Sequence, residues 1–168
     1  MIKVALLSAW LAATPLMWFA ATQSFRTVDG ILQNEKPQLV EATKGMAEGQ
    51  TRFVLRYVAS EINRTYFWGY GLAQIILGGA LLLLLWRERP SDSLGFGVVY
   101  TMMGLVLILT FVITPMITSL GRSLDFVPRN PSPPLMPRFW AFHGAFTGMD
   151  GLKFLGGLGL LIRWILQA

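Results

Sequence analysis

The sequence predicts an all-α integral membrane protein: four transmembrane helices in a bundle, with an amphipathic helix between the first and the second. Three observations carry this. Of 168 residues, 54% are hydrophobic and only 14% charged, against about 25% charged in a soluble domain. The apolar residues are gathered into four runs, each close to the roughly 20 residues that cross about 30 Å of hydrocarbon. Between the runs lie seven of the nine prolines and most of the charges. Little chain remains for a second domain, so residues 1–168 read as one membrane unit.

The first run covers residues 4–22 and contains Pro15. With Lys3 before it and Ala20-Ala21-Thr22 at its end it mimics a secretory leader, but it exceeds the usual 7–15 residue apolar stretch of one. It reads as a first membrane helix. The second run, 66–86, ends in five leucines, Leu81–Leu85. The third, 95–120, has Pro115 near its end. The fourth spans about 140–166. Trp18, Tyr66, Phe67, Trp68, Trp86, Trp140 and Trp164 mark the edges of these runs, where amphipathic rings meet headgroups. Trp10 is too deep for that role and is expected to pack inside.

The connections differ in kind. Ser24–Gln38 is polar and carries the turn signals Asp29-Gly30 and Pro37. Residues 39–64 then show helical spacing, with Leu55, Val58 and Ile62 on one face and Arg52, Arg56 and Asn63 elsewhere. This segment is expected either to lie on the membrane surface or to continue as the stem of the second membrane helix. Gly45 and Gly49 weaken its first half. The second connection is a tight turn around Pro90. The third, 121–138, holds Pro128, Pro131, Pro133, Pro134 and Pro137, which exclude a helix and predict an extended strap.

Lys and Arg counts orient the chain. The first and third connections carry nine; the opposite side carries four, Lys3, Arg87, Arg89 and Arg163. The long connections are therefore expected in the cytoplasm and both termini outside. The same rule accounts for the net charge of +5 without nucleic acid. There is no cysteine, which excludes disulfides, thiolate metal sites and cysteine nucleophiles.

The residues most able to carry chemistry lie in the fourth run. His143 is the only histidine, Asp150 follows seven residues later, and Lys153 three after that. On a helix His143 and Asp150 stand almost one above the other, with Lys153 about a quarter-turn round. Asp150 and Lys153 fall near the middle of the run, more than about 10 Å from either end, and a charge there carries a penalty of about 2.5–3.5 kcal/mol. The spacing predicts an i,i+3 ion pair supported by Gln74, Thr110 or Thr114 from neighbouring helices. Such a pair either fixes how the helix packs, or relays protons or ions with His143 as the entry, or lines a ligand pocket. One histidine cannot complete a zinc site or bis-histidine haem ligation. Contact of His143 with a chlorophyll or haem stays open, with lipid the expected associate. Gly144, Gly148 and Gly151 beside the polar face predict close helix packing. Pro15 and Pro115 free the carbonyls of Leu11 and Phe111, which Thr14 and Thr114 are placed to re-satisfy. No hydrolase triad, phosphate loop or catalytic carboxylate pair is present, so no catalytic residue and no enzyme activity are expected.

Short motifs carry a family resemblance. Phe139, Trp140, Ala141, Phe142, His143 and Gly144 open the fourth run; Thr114, Pro115, Met116 and Ile117 close the third; Phe25 and Arg26 follow the first. The chain resembles the bacterial membrane domain-of-unknown-function family 4149, akin to eukaryotic transmembrane protein 205. The family's last helix typically begins Phe-x-x-Leu-His-Gly and has an asparagine seven residues after the histidine. The resemblance implies a four-helix fold in the bacterial inner membrane and no established activity. It also marks two departures: Asp150 stands at the asparagine, and Phe146 where a small polar residue is usual. Small size and two elaborate connections then point to an accessory subunit beside other membrane proteins, with a small proton- or ion-coupled transporter or channel as the alternative.

Overall fold

The computed structural model describes residues 1–34, 36–47, 49–88 and 92–167. Among the described residues helix is the only regular secondary structure, with no strand. The chain runs α1 (Ile2–Gln33), α2 (Pro37–Thr43), α3 (Gln50–Glu88), α4 (Ser93–Ile108), a π-helical turn (Leu109–Ile113), α5 (Thr114–Ser123) and α6 (Met136–Leu166). Four rods are long and apolar enough to cross a membrane: α1, α3, the continuous rod 93–123, and α6. Each packs on two of the others, α1 on α3 and α6, and α4 on α3 and α6.

Two expectations about the first connection are corrected. Asp29-Gly30 is not a turn, because α1 continues through it to Gln33. Val28 is buried there against α3, Asp29 lies 3.9 Å from Arg56, and the Arg56 guanidinium sits over the Phe25 ring. Those tertiary contacts outweigh the local turn preference. Residues 39–64 likewise are not one helix, and of the two alternatives the stem of the second long helix holds, over Gln50–Arg64 only. Pro37 starts α2 at its first turn, which ends at Thr43. Gly49, at φ +77°, takes the left-handed conformation that glycine alone adopts freely, and Gln50–Arg64 continues without a break into α3. At about 1.5 Å per residue the 39 residues of α3 reach about 58 Å. The α1–α3 pair therefore extends well beyond a 30 Å layer as a two-helix stem. The turn expected around Pro90 falls on residues 89–91, outside the described residues.

The third rod is not a plain proline kink. Pro115 has no N–H and its ring collides with the carbonyl four residues back. The chain answers with a π turn over Leu109–Ile113, immediately before Thr114-Pro115. The widened turn leaves Thr110 buried and so close to α3 that a Cβ on Gly71 would sit 2.7 Å from its Oγ1. The strap expected over 121–138 is non-helical only from Leu124 to Leu135: α5 runs on to Ser123 and Pro137 sits in the first turn of α6, where its missing N–H costs nothing. Leu124 is buried, Asp125 accepts from Arg64 Nη2 at 2.8 Å, and the Phe126 ring lies 5.0 Å from Tyr57. The strap is thereby held along one side of the stem.

The glycines that permit close packing are not those expected. A Cβ on Gly144, Gly148 or Gly151 would meet nothing within 4 Å, because that side of α6 faces away from the other helices. A Cβ on Gly78 would lie 2.6 Å from the Trp10 ring and one on Gly157 2.6 Å from Leu11. Trp10, Leu7, Leu81, Leu85, Val99 and Val106 are fully enclosed and form the larger of two apolar cores.

At one end, Asp92 ties three elements together. It caps α4 by accepting from the Gly95 N–H at 3.0 Å, and it accepts from Arg163 Nη1 and Trp164 Nε1, both at 2.7 Å. Lys3 lies 3.8 Å from the same carboxylate and over the Trp164 ring. Burial pushes the Asp92 carboxyl up, but the bonds from Arg163, Trp164 and Gly95 more than offset this and hold it below the usual aspartate range. A carboxyl lowered in the folded state stabilises above its unfolded value of about 3.9 and stops doing so as pH falls through its folded value. The stability difference between wild type and Asp92→Asn, read from thermal melts in detergent, should be constant from pH 7 to 5 and shrink below pH about 4. A difference that already collapses between pH 7 and 5 would contradict this assignment.

Candidate functional site

Asp150 and Lys153 meet at the centre of the helices as an i,i+3 pair, Nζ to Oδ1 2.5 Å, with both side chains wholly buried. Two helices build the shell around them. From α1 come Trp10, Thr14 and Trp18, spaced four residues apart and so on one face. From α3 come Tyr70 and Gln74, again four apart. The pair itself is on α6.

The hydrogen bonds close on themselves. Tyr70 donates to Asp150, 3.0 Å from Oδ1 and 3.1 Å from Oδ2. Trp18 Nε1 donates to Oδ2 at 3.1 Å. The carboxylate thus takes Lys153, Tyr70 and Trp18. Lys153 Nζ donates to Asp150, to Gln74 Oε1, to Tyr70 OH at 3.0 Å and to Thr14 Oγ1 at 3.2 Å. An ammonium has three protons, so four acceptors more than saturate it. With Tyr70's own proton committed to Asp150, the 2.8 Å contact between Thr14 and Tyr70 is donated by Thr14. Trp10 Nε1 donates to Gln74 Oε1 at 3.3 Å. Among the described residues the only buried side-chain polar atom without a partner is Asn63 Oδ1, two turns of α3 from Tyr70.

Of the expected supporting groups, Gln74 belongs to this network. Thr110 and Thr114 are buried but make no hydrogen bond to the pair among the described residues; Thr110 packs on Gly71 instead. Thr14 is not spent on the carbonyl freed by Pro15, since its hydroxyl engages Tyr70 and Lys153. Trp18, read from sequence as an edge marker, and Tyr70 are the residues that sequence reasoning missed. The four-residue spacings Trp10–Thr14–Trp18 and Tyr70–Gln74 are the signal that finds them.

His143 stands apart. Its ring stacks on Phe139 at 5.9 Å and meets Trp140 edge-on at 5.6 Å. Seven residues of helix separate it from Asp150 by about 10 Å along the axis. On that same face, three residues from one and four from the other, lies Phe146. Phe146 is buried and packs edge-to-face on Phe67 at 5.0 Å. The face expected to carry protons from His143 inward is filled by an apolar ring. Among the described residues no three His, Asp or Glu side chains gather as a metal donor set. Compared with protein-family models, curated proteins and solved structures, the chain finds no match.

Proposed function

We propose that the protein is a non-catalytic, multi-pass inner-membrane protein that packs as an accessory subunit beside a larger membrane complex. In this reading the long connections are cytoplasmic and both termini lie outside. The observation that carries the proposal is the saturation of the Asp150–Lys153 network. A transport or catalytic site keeps polar groups open to its substrate, whereas here every deep charge is spent on fixing α6 against α1 and α3. The face of α6 turned away from that network offers exposed Gly144, Gly148, Gly156 and Gly159 beside Leu152 and Leu155. Small residues among leucines let another helix approach closely, and the proline strap supplies a second surface on the charged side. Native gels of gently solubilised membranes test the proposal. Co-migration with larger proteins is the expected result. Migration with no other protein at every detergent level would remove it.

A further inference from the structure

The α1–α3 stem carries an open groove of about 430 Å³. Val28 and Ala59 form its buried floor, and Ile31, Val58, Ile62 and Tyr66 are 39–48% exposed along it. None of its eleven lining residues is charged, although the same stem carries Arg26, Asp29, Arg52, Arg56 and Glu61 on its other faces. Uncharged, largely apolar surface marks an interaction face, and in the membrane placement proposed above this segment projects beyond the lipid.

The same faces continue down the apolar part of both helices. On α1 the exposed positions Ala5, Ala9, Ala12 and Leu16 follow at steps of three or four; on α3 Gly69, Ala73, Ile76 and Ala80 do so. The bonds Trp10–Gln74, Thr14–Tyr70 and Asn63–Ala21 fix the depth of one helix against the other: each step up α1 is one step down α3. To within one residue of that register, about 1.5 Å, Ala5 is level with Ala80, Ala9 with Ile76, Ala12 with Ala73, Leu16 with Gly69, and Thr27 with Val58.

From this matching we infer that the α1–α3 face docks a second copy of the chain. Resting on the membrane placement proposed above, two copies share one orientation, so their two-fold axis lies along the membrane normal. That axis sets α1 of one copy against α3 of the other at unchanged depth. Ala5 and Ala12 then meet Ala80 and Ala73, Ile76 of each copy lies over Ala9 of the other, and Leu16 enters the space over Gly69. An isologous interface must be self-complementary. For a chain of net charge +5 that is met on a face without charge. The result is a four-helix assembly through the layer and the stem, leaving the glycine face of α6 free.

The chain has no cysteine, so the test is direct. Full-length Thr27→Cys and Val58→Cys, each with a different tag, are co-expressed, purified away from other proteins, reconstituted in liposomes and oxidised. The expected product is a disulfide-linked species carrying both tags, at about twice 18.7 kDa. Adding Ile62→Arg to both copies should cut its yield at least tenfold while the thermal melt of each chain stays within a few degrees. Val58→Cys with Leu107→Cys, on the α4 rod, should give no mixed species. If both thiols react with a maleimide probe yet no mixed-tag species forms, or if Ile62→Arg leaves the yield unchanged, the inference falls. On native gels, a species of twice the chain mass and nothing larger keeps the dimer and removes the larger complex.

Discussion

Asp150→Asn lowers the stability of the protein by about 3–5 kcal/mol, the usual consequence of removing one partner from a buried ion pair. The amide still accepts from Tyr70 and Trp18, but the Lys153 ammonium is left charged among Gln74, Tyr70 and Thr14 with no counter-ion. The double variant Asp150→Asn/Lys153→Leu removes the stranded charge and should recover most of the loss, since an apolar replacement of a whole buried pair is often neutral or better. Unfolding in detergent, followed by tryptophan fluorescence, reads both, because Trp18 is bonded to Asp150. The same variant separates the two functional readings. In liposomes, Asp150→Asn should leave ion flux at the level of empty vesicles, as for wild type. Wild-type flux abolished by Asp150→Asn in a chain that still melts normally would make Asp150 a carrier of protons and overturn the structural role.

Trp10→Ala should cost about as much, about 3–5 kcal/mol by the range for large aromatic truncations. The ring is wholly buried, its N–H holds Gln74, and its far edge fills the space over Gly78. Truncation leaves a void and loosens the amide that accepts from Lys153. Because the indole occupies the space a side chain on Gly78 would need, Gly78→Ala in the wild type should be destabilising by about 1–3 kcal/mol. In the Trp10→Ala background, Gly78→Leu should be stabilising. Thermal melts of the four proteins check the sign reversal; two additive losses would mean the ring and the glycine do not share the space. Gly148→Ala, on the open side of α6, should be near neutral.

Much of the architecture is legible in the residues. Long apolar runs report helices that can cross a membrane because the requirement is a length, and a length can be counted. The pairing of Asp150 with Lys153 is legible for a similar reason: i,i+3 spacing on one helix needs no knowledge of the neighbours. What surrounds the pair is harder. Tyr70, Trp18 and Thr14 are unremarkable in an apolar run, and only the register between α1 and α3 brings them to one point. The packing glycines were misplaced because Gly144-x-x-x-Gly148 is a local pattern, whereas close approach at Gly78 depends on which side chain, Trp10, stands opposite. Asp29-Gly30 misled in the same way: the turn preference is local, and the burial of Val28 and the Arg56 contacts that overrule it are not.

The order in which the chain leaves the ribosome gives the shell around the pair a further meaning. Of the four long apolar rods, α6 is the least apolar, and it alone brings two charges to mid-depth, each disfavoured by about 2.5–3.5 kcal/mol on entering hydrocarbon. It is also the last to be synthesised. In the membrane placement proposed above, Trp10, Thr14, Trp18, Tyr70 and Gln74 are made before it, so α6 would partition toward a prepared polar seat rather than into bare lipid. A circular permutant that makes α6 first should insert it poorly, whereas the natural order lets the early helices act as the receptor for the last.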